Sequence, residues 1–196
     1  GVDSATFKLP IVVLRNSLWK NSSAPMLHIS GGPGGPAYID ATSMSYWLDS
    51  FLSLDWGVDF VFYDQRGTGL SQPFLDCADN EAVRLESLKL PFNASEDSAS
   101  LNKQMQQCYD QLVNKADFKA HFKVISTENS AHDIADLQSL LGVKQWVLMG
   151  VSYGTRLALD FVKRYPEKVH SMVLDSVYPS DFDGFEHMVE NSFKGI

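Results

Sequence analysis

The sequence lacks the features that mark metal-binding, membrane-spanning and nucleic-acid-binding proteins. Its two cysteines, Cys77 and Cys108, have no Cys-x-x-Cys spacing and no clustered histidines beside them, which argues against a zinc site. No apolar run approaches the roughly 20 residues that a spanning helix needs. The 16 Lys and Arg residues are outnumbered by 24 Asp and Glu and form no basic patch. We therefore expect no metal, no membrane span and no nucleic-acid partner.

What is present is an ordinary globular composition. The chain has 196 residues, of which 44% are hydrophobic and 20% are charged, enough for one sizeable core and one domain. The first residues, "GVDSATFKLP", do not show the basic-then-apolar layout of a signal peptide, so the chain begins as if a leader had already been removed.

Apolar strand-like runs alternate with helical patterns along most of the chain. Strands are predicted in "TFKLPIVVLRN", "APMLHIS", "VDFVFYD", "KQWVLM" and "KVHSMVLDSV". Helices are predicted in "STENSAHDIADLQSLLG", which ends at Gly142, and in "TRLALDFVKRY", which ends before Pro166. This alternation is typical of a mainly parallel sheet with helices on both faces. The polar segment from Gln72 to Lys123 is interpreted as an insertion holding one helix or two.

The pentapeptide Gly150 to Gly154, "GVSYG", fits the pattern G-x-S-x-G between a predicted strand and a predicted helix. In that context Ser152 lies on a tight turn at the carboxyl edge of the sheet, and only glycine fits where the flanking chain approaches closely. Amide groups at the start of the following helix point toward the hydroxyl. Ser152 is therefore the candidate catalytic nucleophile.

A serine hydrolase also needs N–H donors for the oxyanion of the tetrahedral intermediate. We expect the amide of Tyr153 to be one donor. The loop "SGGPGGP" after the second strand would supply the other, because glycine lets the backbone approach a substrate oxygen and proline has no N–H. Gly32 is the candidate. The supporting loop glycines are predicted to be Gly31, Gly34, Gly35, Gly150 and Gly154.

Three segments, "GGPGGP", "YDQRGTGLSQP" and "GVSYGTRLALDFVKRYPEKVHSMVLD", resemble the α/β-hydrolase fold in their order and spacing. From Phe7 to about Pro179 the chain is similar to the prolyl and tripeptidyl aminopeptidases of peptidase family S33. Ser30 replaces the histidine that prolyl aminopeptidases place before the glycine pair, which favours the tripeptidyl branch. The resemblance implies an α/β class hydrolase fold, no cofactor, and a loop braced by Asp64, Gln65 and Arg66.

The cysteines leave open a disulfide or two unrelated thiols. The resemblance to secreted relatives implies a disulfide between Cys77 and Cys108. It also implies an extracytoplasmic location, periplasmic or secreted, with the cytoplasm as the alternative.

The acid and base that should follow Ser152 are harder to place. His170 opens its strand, about 16 Å from the end where the active site lies, and is expected to be structural. His187 is a weak candidate base, and Asp175 a weak candidate acid that ends a strand at the correct edge. The resemblance implies that both groups follow later. We therefore expect residues 1–180 to form an incomplete hydrolase core, with later strands and cap absent, and residues 181–196 to begin a helical cap.

The leading hypothesis is a serine aminopeptidase that releases residues from the amino terminus of short peptides through an acyl-enzyme on Ser152. Its partners would be a short peptide or other small-molecule substrate and the missing C-terminal part of the same enzyme. An esterase or lactonase of the same fold is one alternative. The other is a truncated, non-catalytic hydrolase scaffold, because this chain alone is expected to lack the catalytic Asp and His.

Overall fold

The fold is built on a five-stranded mixed sheet, seen in a computed structural model that describes residues 6–16, 24–54, 57–75, 94–114 and 118–179. The strands are β1 (Ile11–Leu14), β2 (Met26–Ile29), β3 (Phe60–Tyr63), β4 (Trp146–Val151) and β5 (Val169–Asp175). Their order in the sheet is β1-β3-β2-β4-β5. Strand β1 pairs antiparallel with β3, whereas every other neighbouring pair is parallel.

Helices connect the parallel strands, as the alternating pattern predicted. They are α1 (Ser43–Leu54), α2 (Ala94–Val113), α3 (Phe118–Lys123), α4 (Thr127–Leu141) and α5 (Tyr153–Arg164), with a short 3-10 helix at Pro166–Lys168. Helices α2 and α3 lie within the polar segment between Gln72 and Lys123. None of the helices in the described ranges is long and apolar enough to cross a membrane. The segment predicted to begin a cap, 181–196, lies outside the described residues.

Local sequence signals set the ends of α4. Ser126 precedes the helix, and its side chain accepts a hydrogen bond from the Asn129 N–H, which satisfies an amide at the helix start. Gly142 follows the helix with a positive φ of 66°, a conformation that costs glycine little, and its N–H donates to the last carbonyls. The predicted helix start and the stop at Gly142 are confirmed.

Helices cover both faces of the sheet. On one face Leu27, Tyr63 and Leu148 are fully buried against α4 and α5, which contribute Ile134 and Phe161. On the other face, Met26, Phe60 and Phe62 pack with Trp47 and Phe51 of α1. Side chains of one strand point alternately to the two faces, so the nearly continuous apolar runs of β2 and β3 supply both cores. The predicted α/β class, with a mainly parallel sheet and helices on both faces, is confirmed.

Candidate active site

The carboxyl ends of β2, β3, β4 and β5 meet at one edge of the sheet. Strand β2 pairs with β4 so that Ile29 is opposite Gly150, and β4 pairs with β5 so that Val151 is opposite Asp175. The loops that follow these strands therefore begin side by side. Ligands of open α/β sheets bind at this edge.

Ser152 is the turn between β4 and α5. Its φ is 53° and its ψ is −119°, a strained combination for a residue with a side chain. Its backbone N–H donates to the Asp175 carbonyl oxygen at 2.9 Å, and its side chain is exposed. The structure thus places Ser152 where the G-x-S-x-G pattern predicted it, exposed at the edge of the sheet and immediately before a helix.

The flanking glycines are required by close packing of the backbone. A Cβ atom on Gly154 would overlap the Ile29 carbonyl oxygen. A Cβ atom on Gly150 would lie 2.6 Å from the Gly154 carbonyl oxygen, well inside van der Waals contact. Helix α5 is consequently pressed against β2 and β4, and this contact aims the helix start at the serine.

The glycine-rich loop after β2 lies directly against Ser152. A Cβ atom on Gly31 would lie 3.0 Å from the Ser152 Cβ and 3.6 Å from its Oγ. Gly32 has a φ of 116°, and Gly34 has a φ of 96°, values that favour glycine. The Gly35 N–H donates to the Gly31 carbonyl oxygen at 3.1 Å, which closes the loop on itself.

The two proposed oxyanion donors lie on the segments that meet at the serine. Gly32 follows Gly31 in the loop, and Tyr153 is the first residue of α5. Amides in a first helical turn have no partner within their helix, and the helix dipole makes this end positive. The Tyr153 hydroxyl shares a hydrogen bond of 2.8 Å with Thr127 Oγ1 at the start of α4. Gly32 and Tyr153 stay the predicted donors.

Asp64 and Gln65, which follow β3, hold the loops around the serine. The Asp64 carboxylate accepts the Ala37 N–H and the Leu70 N–H, both at 2.7 Å. The Gln65 side-chain amide donates to the Ser30 carbonyl oxygen at 3.0 Å. Both side chains are buried, so their role is to fix the backbone of the glycine-rich loop. The contact with Leu70 braces the loop after β3, as the resemblance implied, and the contacts with Ala37 and Ser30 extend this bracing to the glycine-rich loop.

Arg66 is also engaged in structural contacts. Its guanidinium makes a two-pronged ion pair with Asp133 of α4, with N–O distances of 2.7 and 2.6 Å. It also donates to the carbonyl oxygens of Val124 and Asn129. Arg66 therefore ties the loop after β3 to α4.

The described histidines do not supply a base for Ser152. His170 lies at the amino end of β5 and is exposed, with its Nδ1 3.2 Å from Ser171 Oγ, whereas Ser152 follows the carboxyl end of β4. In the described part of the chain, no histidine has a hydrogen bond to Ser152. Asp175 is at the correct edge, but its carboxylate accepts the Ser176 hydroxyl, and it is the backbone carbonyl that contacts Ser152. His187 lies outside the described residues.

Two other predicted features concern metals and cysteines. No group of three or more His, Cys, Asp or Glu that could hold a metal ion occurs within the ranges that the structure describes. Cys108, on α2, is disulfide-bonded. Cys77, its predicted partner, lies outside the described residues.

Thr155 is a site residue that sequence reasoning missed. It is fully buried, and its hydroxyl donates to the Ser152 carbonyl oxygen at 2.6 Å. The same hydroxyl accepts the Tyr178 N–H at 2.8 Å. Thr155 thus connects the turn at the serine to the segment after β5. A hydroxyl residue three positions after the serine, in the first turn of the helix, was the available signal.

Comparison with known proteins agrees with this architecture. A family model described as the alpha/beta hydrolase fold matches residues 24–195. The chain is 29% identical over 163 residues to Serine protease Hip1 of Mycobacterium tuberculosis, covering 79% of this chain and 30% of that protein. It is 29% identical over 160 residues to Tripeptidyl aminopeptidase of Streptomyces coelicolor, covering 78% of this chain and 28% of that protein.

Solved structures agree at the level of the fold. The proline iminopeptidase-related protein of Thermus thermophilus superposes with a TM-score of 0.51 at 18% identity, covering 88% of this chain and 42% of that one. The chain spans about three tenths of the length of the two curated relatives. Since the family match extends over most of its length, the chain belongs to the alpha/beta hydrolase fold family.

Proposed function

We propose that the protein containing this chain is a serine hydrolase, and that it is an aminopeptidase releasing residues from the amino terminus of short peptides. The observation that carries the proposal is Ser152, exposed on a strained turn at the start of α5 with the glycine-rich loop against its Cβ. The peptidase names of the two relatives support the peptide substrate.

The proposed reaction proceeds in two steps. A general base takes the proton of Ser152 Oγ, which attacks the scissile carbonyl carbon, while the amides of Gly32 and Tyr153 hold the developing oxyanion. The C–N bond then breaks, the amine leaves with a proton, and an ester on Ser152 remains. Water attacks this ester, the acid product leaves, and the proton returns to Ser152. The general base is expected outside the described residues.

The first test is covalent labelling of the intact protein with a fluorophosphonate, in which Ser152 Oγ displaces fluoride from phosphorus. We expect stoichiometric labelling at Ser152, found by peptide mass, and its loss in Ser152→Ala. Ser53→Ala is the matched control, because Ser53 is an exposed serine on α1 that donates to the Ser50 carbonyl. An intact protein that does not label would support the non-catalytic scaffold instead.

A second measurement separates the aminopeptidase from an esterase or lactonase. The kcat/KM for an amino-acyl arylamide is compared with that for its N-acetylated form and for a simple aryl ester. An aminopeptidase is expected to prefer the free amine by at least about tenfold, which corresponds to about 1.4 kcal/mol in the transition state. Equal rates with and without the acetyl group, together with fast ester cleavage, would favour the esterase.

A further inference from the structure

A cavity of about 460 Å³ opens beside the predicted oxyanion site. Pro33 and Gly34 of the glycine-rich loop form one wall, and Tyr153, the residue after the nucleophile, forms another. The opposite side comes from the polar segment, through Leu112 of α2 and through Phe118 and Phe122 of α3. The volume lies in the range of small-ligand pockets, about 300–1,000 Å³.

The lining on the insertion side is apolar and partly exposed. Leu112 and Phe118 are buried in a small cluster of their own. Phe122 stacks on Phe118 with ring centroids 5.3 Å apart, yet it is 58% exposed, and Ile125 at the same rim is 38% exposed. These side chains present apolar surface to an open cavity that Tyr153, the residue after the nucleophile, also lines, and an apolar ligand would bury this surface.

Most polar side chains of the wall already have hydrogen-bond partners. The Arg66 guanidinium is bound by Asp133 and by two carbonyl oxygens. The hydroxyls of Tyr153 and Thr127 bond to each other, and the Thr68 hydroxyl donates to the Gln65 carbonyl oxygen. An ionic ligand would have to displace one of these contacts, whereas an apolar group would not. The chemistry of the wall therefore favours an apolar occupant.

We propose that this cavity binds a bulky apolar side chain of the substrate beside the bond that Ser152 attacks, so that Phe122 and Ile125 set the substrate preference. This inference rests on the proposed serine hydrolase function. It assigns to the polar segment a role in substrate selection, because α3 contributes two phenylalanines to the cavity that the glycine-rich loop also lines.

The test uses the intact protein and two diphenyl aminoalkylphosphonate probes, one with a benzyl and one with a methyl side chain. In both, Ser152 Oγ forms a bond to phosphorus and phenol leaves, so the labelling rate at Ser152 reports on side-chain fit alone. The benzyl probe is expected to react at least about tenfold faster than the methyl probe, as burial of an aromatic group allows.

Two variants locate this preference. Phe122→Ala removes an aromatic ring that is 58% exposed and is expected to lower the benzyl-to-methyl rate ratio about fivefold or more. Ile125→Trp narrows the rim and is expected to slow the benzyl probe. The matched control is Tyr46→Ala, an exposed aromatic on α1 across the sheet, which should leave the ratio unchanged.

The outcomes distinguish failure of the cavity proposal from failure of the proposed serine hydrolase function. If Ser152 is labelled but the ratio is near one, or if Phe122→Ala and Tyr46→Ala behave alike, the cavity proposal is overturned and the hydrolase proposal stands. If the fluorophosphonate does not label Ser152 either, the proposed function is overturned and the cavity proposal with it.

Discussion

Ser152 and His28 both lie near the carboxyl edge of the sheet, but the fold exposes one and buries the other. Ser152 is held exposed on a strained turn, where its hydroxyl can meet a substrate. His28, three residues before Gly31, is instead 6% exposed and packs against the rings of Trp47 and Phe62. Burial lowers the pKa of His28 to about 4, because the charged imidazolium would lose its hydration. His28 therefore has a packing role, although it lies close in sequence to the glycine-rich loop.

This burial predicts acid sensitivity. The pKa of His28 is lower in the folded state than its ordinary value of 6.5, so the unfolded chain binds the proton more tightly. The contribution of neutral His28 to the free energy of unfolding is therefore fully present above about pH 6.5, and it is lost as the pH falls toward 4. The full loss is about 3 kcal/mol.

The measurement is the free energy of unfolding by urea at pH 7 and at pH 4, for the wild type and for His28→Leu. We expect the wild type to lose about 3 kcal/mol more than the variant over this interval. His170→Gln, at an exposed histidine, serves as control and should follow the wild type. Parallel pH curves for the wild type and His28→Leu would contradict the prediction.

At the scale of elements, helix ends and strand ends position the site. Helix α4 begins at a serine cap, and Thr127 and Ser126 at this end also line the cavity beside Tyr153. Helix α5 begins immediately after Ser152, and its glycine at position 154 allows contact with β2. The start of each helix thus forms part of the candidate site, so a change at a cap should act on stability and on the cavity together.

Removal of the α4 cap gives the element-scale prediction. Ser126→Ala leaves the Asn129 N–H without its acceptor, and we expect a loss of about 1 kcal/mol in unfolding free energy. Ser139→Ala, near the other end of the same helix, removes an exposed hydroxyl that donates to the Ala135 carbonyl, and should change stability by at most a few tenths of a kcal/mol. Equal effects of the two substitutions on stability in thermal or urea unfolding would contradict the prediction that the Ser126 side chain stabilises the start of α4.

At the scale of the whole molecule, one ion pair joins distant parts of the chain. Arg66 after β3 binds Asp133 on α4 and the Val124 carbonyl after α3, and its guanidinium lies 5.3 Å from the ring centre of Phe7. The side chains of the pair are only 12% and 15% exposed. The sheet edge, α4 and the connection that follows α3 are held together at this point, which also forms a wall of the cavity.

Loss of the ion pair between Arg66 and Asp133 is expected to lower the free energy of unfolding more than loss of an exposed ion pair does. Asp133→Ala leaves the Arg66 charge poorly hydrated and unpaired, so we expect a loss of about 3 kcal/mol in unfolding free energy. Glu128→Ala removes a carboxylate from the same helix, but its pair with Arg164 is more exposed, and the loss should stay below about 1 kcal/mol. The free energies of unfolding of both variants are measured by chemical denaturation. A loss for Asp133→Ala as small as that for Glu128→Ala would contradict the stabilising role of the ion pair between Arg66 and Asp133.

The amino-acid sequence by itself determined the features that depend on neighbouring residues. Apolar runs predicted β2, β3 and β4, the serine cap and Gly142 predicted the ends of α4, and the G-x-S-x-G spacing predicted the turn at Ser152. These signals are readable because backbone conformation and alternating burial are set within a few residues.

Only the tertiary structure decided which distant segments meet. It placed Asp133 against Arg66, 67 positions away, brought Phe122 to the cavity beside Tyr153, buried His28 and linked Thr155 to Tyr178. The hydrophobic periodicity of the sequence does not predict such contacts, because they depend on how the sheet, the helices and the polar segment pack together. The physical reason is that local preferences fix the elements, whereas close packing of their faces fixes the site.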